Sequence, residues 1–98
     1  MEEQLKQIIN HYGIMKQLKY FQSEVFELNE AIMKYENNSF NSVEFAIDHI
    51  AEELADVMVM LEQFRLYYDI PSMQITEIMQ KKIERQLKRI EEENTNKE

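Results

Sequence analysis

The sequence predicts an all-α domain, and three observations point there. One glycine and one proline among 98 residues leave too few turn formers for a sheet with many tight turns. An apolar spacing of three and four residues recurs along nearly the whole chain. Charged residues at 31% and hydrophobic ones at 44% suit a packed domain rather than a disordered one. Residues 1–98 read as one domain, without internal repeat or linker.

The elements follow in order. Leu5, Ile8, Ile9 and Tyr12 form one face of a first helix, which Gly13 stops or bends. A second helix is expected from about Ile14 to Glu36, followed by turn chemistry at Asn37-Asn38-Ser39-Phe40. Asn41, with Glu44 three positions on, reads as the cap of a third helix. That helix should run to about Asp69, ended by Ile70-Pro71-Ser72. A fourth carries Ile75, Met79, Ile83, Leu87 and Ile90 before a polar tail, Asn94–Glu98, that is expected to fray.

Composition removes several function classes. With 11 basic and 19 acidic residues the net charge is −8, which disfavours nonspecific binding to nucleic acid or anionic membrane. No cysteine means no disulfide, no thiolate zinc site and no cysteine nucleophile. The longest aliphatic run, Val57 to Leu61, is too short to span a bilayer, and the Met-Glu-Glu-Gln start is no signal peptide. The chain reads as cytoplasmic.

Between Leu54 and Leu61 every residue but Asp56 is apolar, so the third helix has no clean solvent face. Such a helix is buried on all sides, and in a chain this short that predicts burial between subunits. The expected assembly is an intertwined helical bundle completed by oligomerisation, a homodimer or homotetramer. Seven methionines suit a soft, gap-filling core.

Some carboxylates fall where solvent-facing acids should not. On a wheel of about 100° per residue, Glu24 sits inside the apolar arc of Tyr20, Phe21, Leu28 and Ala31, with Glu27 at its border. Glu53 sits likewise among Ile50, Val57 and Met60, with Asp56 at the border. Two helices thus repeat one geometry: an acid in the apolar arc and a second acid one turn later. Burying an ionised carboxylate without a partner costs several kcal/mol or forces protonation. Hard divalent cations remove that cost, and oxygen-only ligands suit Mg²⁺ or Mn²⁺, about two ions for four charges.

Two further groups share inward arcs. Five basic residues lie between Lys81 and Arg89; Lys82 and Arg89 fall within the apolar arc of the fourth helix and Arg85 beside it. Such placement suggests an anionic partner, either phosphate or a subunit's acids; snorkelling to water is the alternative. Gln17 and Tyr20 share the Glu24 face and are candidates to contact a sugar or base, although Tyr20 also reads as core. His49, one turn before Glu53, reads as a core histidine; His11 and Lys16 have no assigned role.

Glu24-Val-Phe-Glu27, then 25 residues, then Glu53-Leu-Ala-Asp56 resembles the Glu-x-x-Glu … Glu-x-x-Asp signature of MazG-like, all-α nucleoside triphosphate pyrophosphohydrolases. The flanks are similar too: Gln17-Leu-Lys-Tyr-Phe-Gln-Ser-Glu24 leads in, and Ile50-Ala-Glu-Glu-Leu-Ala-Asp-Val-Met58 looks like the second motif. The likeness covers about residues 12 to 92. It implies a four-helix module in which Glu24, Glu27, Glu53 and Asp56 hold Mg²⁺ on a triphosphate. Water would attack the α-phosphorus, releasing nucleoside monophosphate and pyrophosphate. It further implies that a Lys and an Arg of the last helix meet the phosphates, Lys82 and Arg85 first and then Arg89. The implied role is clearing surplus or modified ribo- or deoxyribonucleotides from the pool.

Two rivals stay open. Phosphoribosyl-ATP pyrophosphatase has a similar acid pattern, but its Gly-rich, lysine-containing lead into the first motif is replaced here by Leu18-Lys-Tyr-Phe-Gln-Ser. A non-enzymatic helical interaction domain would carry the same acids as surface charge only. A carboxylate-bridged iron bundle is excluded, because neither His11 nor His49 has a Glu three residues before it.

Overall fold

The computed structural model describes residues 1–37 and 43–96. The expected turn at Asn38–Phe40 and cap at Asn41 lie outside the described residues. The described residues form four helices in order: α1 (Glu2–Tyr12), α2 (Ile14–Glu36), α3 (Val43–Tyr67) and α4 (Ser72–Asn96). Among the described residues there is no strand. The all-α expectation holds, and two compact units carry it: Met1–Tyr68 with α1 to α3, and Asp69–Glu98 with α4.

In the first unit, Glu2 and Glu3 place acids in the first turn of α1, where they complement the helix dipole. Leu5 and Ile9 are buried where α1 packs on α2 and α3. Arg65 of α3 donates from Nη2 to Glu2 Oε1 at 3.1 Å and to Glu62 Oε2 at 2.8 Å, fastening the start of α1 to the end of α3.

Gly13 makes the break between α1 and α2. Its backbone sits at φ 86°, ψ 155°, a region open essentially to glycine alone. Its N–H closes α1 on the Ile9 carbonyl at 2.8 Å, and its carbonyl accepts the Gln17 N–H at 3.1 Å to open α2. A Cβ at this position would meet nothing within 4 Å, so only backbone strain opposes substitution. Gly13→Ala is therefore expected to cost about 1–3 kcal/mol, read as a lowered midpoint in chemical denaturation.

The pairing of α2 with α3 follows from two stripes of period seven. The buried positions of α2 are Gln17, Glu24 and Ala31; in α3, Ala46, Glu53 and Met60 are buried at the same spacing. The helices run antiparallel, since Gln17 near the start of α2 bonds Gln63 near the end of α3 at 2.9 Å. Phe21 and Phe64 meet edge to face at 5.3 Å in the next layer. The same register brings Glu24 to the level of Glu53, and then Ala31 to the level of Ala46. Amides, acids and small residues thus occupy successive layers of one seam.

The apolar residues around α3 are not all covered in this chain. Met60 and Leu66 are buried, but Ile47, Leu54, Met58 and Leu61 are exposed along one side. α3 ends at Tyr67, two residues short of Asp69, because Asp69 takes a left-handed backbone at φ 54°. Aspartate tolerates that region better than most residues.

In the second unit the Pro71 carbonyl accepts the Gln74 N–H at 3.1 Å at the start of α4. The helix continues through Asn96, so Asn94 to Asn96 are helical where fraying was expected; hydrogen bonding of Thr95 Oγ1 to the Glu91 carbonyl at 3.0 Å accompanies that last turn. Lys97 and Glu98 lie outside the described residues. α4 buries none of its side chains. Ile75, Ile78, Met79, Ile83, Leu87 and Ile90 are all exposed.

Candidate metal centre

Glu24, Glu27 and Glu53 each direct a carboxylate oxygen into one cluster, all within 4.8 Å of one another. The seam register of α2 and α3 brings Glu24 opposite Glu53, and one helical turn adds Glu27 from α2. Glu24 is 5% and Glu53 8% exposed, whereas Glu27 lies open to solvent. Buried carboxylates normally accept several hydrogen bonds or pair with a cation. Here Glu24 Oε2 and Glu53 Oε2 are buried with no hydrogen-bond partner.

The electrostatics agree. Burial pushes the Glu24 carboxyl above its ordinary value; a hydrogen bond from Tyr20 pulls it back, and the charges of Asp56 and Glu27 push it up further. Burial also raises Glu53, helped by the charges of Glu27 and Asp56 and opposed by His49. The Tyr20 phenol is raised chiefly by its hydrogen bond to Glu24. Two desolvated carboxylates with orphaned oxygens, each further raised by the charges of Glu27 and Asp56, fit a hard divalent cation. An all-oxygen donor set suits Mg²⁺ or Mn²⁺ better than a softer metal.

Asp56 does not join the cluster of three. It is exposed and lines a cavity beside it, yet it reaches the acids: its charge raises both Glu24 and Glu53, and a side-chain hydrogen bond with Glu24 raises Glu24 further. His49 is not a core residue: it is half-exposed, stacks on Phe45 with rings 7° from parallel, and sets Nε2 at 3.9 Å from Glu53 Oε1. Tyr20 is 56% exposed, so its core reading gives way to a place in the cavity wall beside Glu24.

That cavity, of about 660 Å³, opens between α1, α2 and α3 and is lined by Tyr20, Asp56, Gln17 and Gln63 among others. Gln63 was not among the sequence candidates, yet it is 1% exposed and bonds Gln17 directly. The signal was present: Gln63 follows Met60 by one turn on the buried side of α3, a polar residue within an apolar arc. Lys16 and Lys19 also line the cavity, and Lys16 Nζ stands 5.2 Å from the centroid of the Tyr12 ring, within cation–π range.

Lys82, Arg85 and Arg89 stand on α4 in the second unit, and all three are exposed. The inward arc read from their spacing has no buried counterpart in this chain, because α4 buries nothing of its own. None of the three forms a salt bridge among the described residues.

No family model, no curated protein and no solved structure matches this chain. Fold and site define, on their own, an all-α protein with a carboxylate cluster suited to a divalent cation. No described helix is long and apolar enough to cross a membrane.

Proposed function

We propose that this protein is a Mg²⁺-dependent nucleoside triphosphate pyrophosphohydrolase, converting a ribo- or deoxyribonucleoside triphosphate and water to the monophosphate and pyrophosphate. The observation that carries the reading is the pair of buried, partnerless carboxylate oxygens on Glu24 and Glu53, set with Glu27 in one cluster. Acids that serve only as surface charge have no reason to be desolvated against each other. The motif resemblance at these same residues supplies the reaction.

In this reading Glu24, Glu27 and Glu53 hold the ion, with Asp56 at its edge toward the cavity. A bound divalent ion supplies charge neutralisation on the phosphates and acidifies water. Tyr20 steadies Glu24 through its hydroxyl, Gln17 faces the nucleoside in the cavity, and Lys82, Arg85 and Arg89 meet phosphate oxygens. Clearance of surplus or modified nucleotides is the matching cellular task, in the cytoplasm.

The proposal includes a homodimer or homotetramer, built as an intertwined bundle in which α4 completes a four-helix module. Exposed Leu54, Met58 and Leu61 on α3, and Ile75 to Ile90 on α4, support it. A 25-residue helix carrying an apolar stripe gains most of its stability from packing that stripe. Sedimentation is expected to give at least twice the 11.9 kDa chain mass, and Leu54→Glu together with Met58→Glu to shift it toward the monomer. A monomeric wild-type chain would remove this part of the proposal.

The test of the activity is pyrophosphate release from standard and modified ribo- and deoxyribonucleoside triphosphates and from phosphoribosyl-ATP, with Mg²⁺ and with chelator. Release from nucleoside triphosphates that chelator stops is the expected result. Release from phosphoribosyl-ATP alone would move the protein to the histidine pathway. A folded protein inactive on the whole panel would leave a helical interaction domain.

A further inference from the structure

We infer that the Gln17–Gln63 amide pair is the base-contacting surface of the cavity, and that it accepts either polarity of a heterocycle's donor–acceptor edge. The inference rests on the proposed function, which puts the phosphates at the acids and hence the base in the cavity next to them. Tyr20 and Asp56 connect the two: both line the cavity, and both act directly on Glu24.

Gln17 and Gln63 are 7% and 1% exposed, and polar side chains buried that deeply are ordinarily satisfied. Gln17 Nε2 donates to Gln63 Oε1 at 2.9 Å. Their other side-chain contacts run from Gln17 Nε2 and Gln63 Nε2 to the Met60 thioether, at 4.0 and 3.7 Å, a weak acceptor. A primary amide offers two N–H donors and a carbonyl with two lone pairs. The one hydrogen bond between the two amides leaves the carbonyl of Gln17, and on Gln63 an amino group held only by the thioether, to meet a ligand. Among the other lining residues, Ile8, Val59 and Met60 with the phenol rings of Tyr12 and Tyr20 suit a flat ring. The volume of about 660 Å³ lies within the usual range of small-molecule sites.

No backbone or charged group among the described residues fixes which end of either amide carries the nitrogen. Turning both amides over reverses the bond between them, so that Gln63 donates to Gln17, and gives up only the two weak sulfur contacts. The free carbonyl and the free amino group then exchange places. A rigidly anchored amide would reject a base of the wrong polarity steeply, because a buried polar group would be left unpaired. A reversible pair avoids that penalty, and suits an enzyme that accepts many bases.

Uridine and cytidine form the decisive probe pair, since they share one shape and invert the donor–acceptor order at N3 and C4. Each nucleoside is titrated with chelator present while the side-chain amide resonances of Gln17 and Gln63 are followed by NMR. Both should move both amides, with dissociation constants within about fivefold of each other, roughly the weight of a single hydrogen bond. Gln63→Leu should weaken both nucleosides by about tenfold with the helical circular dichroism unchanged. If that variant loses helix, Gln17→Leu is held to the same criterion.

A preference beyond fivefold would overturn the reversible polarity. Silent amides, or undiminished binding in the folded variant, would overturn the site itself. Neither probe carries phosphate and no metal is present, so this inference and the proposed activity fail separately. Nucleoside binding without Mg²⁺-dependent pyrophosphate release removes only the activity, while release with silent amides removes only this inference.

Discussion

Glu53→Gln is expected to cut Mg²⁺-dependent pyrophosphate release on the order of a hundred- to a thousandfold, the rate equivalent of about 3–4 kcal/mol, while making the metal-free protein more stable. The two effects have one cause. Glu53 is 8% exposed with Oε2 unpartnered, so its charge is a liability to the fold and an asset only when a cation is present. Glutamine has nearly the same shape and no charge, and should gain about 1 kcal/mol in chelator by removing a desolvated carboxylate. Turnover by steady-state release and stability by thermal melting in chelator check the two halves. Glu27→Gln separates them further: Glu27 is exposed, so release should fall while stability stays within about 0.5 kcal/mol. A Glu53→Gln protein that is stabilised and fully active would make the acids mere surface charge, as the interaction-domain reading requires.

Glu24 and Glu53 were legible in the sequence because a charged group inside an apolar arc contradicts its surroundings, and helical spacing alone reveals it. The structure buries both. Asp56 and Glu27 lie at the arc's border, where spacing does not separate a ligand from a solvated neighbour; one of them joins the cluster and the other lines the cavity. Gln63 escaped for a related reason. An uncharged amide in an apolar arc gives a weaker contradiction than a carboxylate, and its partner Gln17 lies 46 positions away. Gly13 was legible as a break, since a lone glycine between two periodic segments has few other uses. The left-handed turn at Asp69 was not, because aspartate serves equally in many turns. For α4, periodicity reveals an apolar stripe but not what covers it. Lys82 and Arg89 therefore looked inward on the wheel, while in this chain the whole helix is exposed.

Mg²⁺ should raise the melting temperature at neutral pH, and acid should abolish that gain. At a hundred times its dissociation constant the ion contributes about 2.7 kcal/mol, on the order of 10–20 °C for a two-state domain of this size. The pH dependence follows from the raised carboxyls of Glu24 and Glu53. Each binds its proton more tightly folded than unfolded, so protonation favours the folded state. That contribution is fully present below the ordinary value of 4.5 and is lost as pH rises through the higher folded values. Without metal, acidification from neutral into this window should therefore stabilise the wild type relative to a Glu24→Gln, Glu53→Gln double variant, in which other titrating groups are common to both. With Mg²⁺ the order reverses at neutral pH, because the ion requires the deprotonated carboxylates and the double variant lacks them. Melting curves of both proteins across pH, in chelator and in Mg²⁺, test the pair of signs together. An equal Mg²⁺ shift in the double variant would place the ion elsewhere; a shift in the wild type that survives below the carboxylate window would mean the ion does not compete with those two protons.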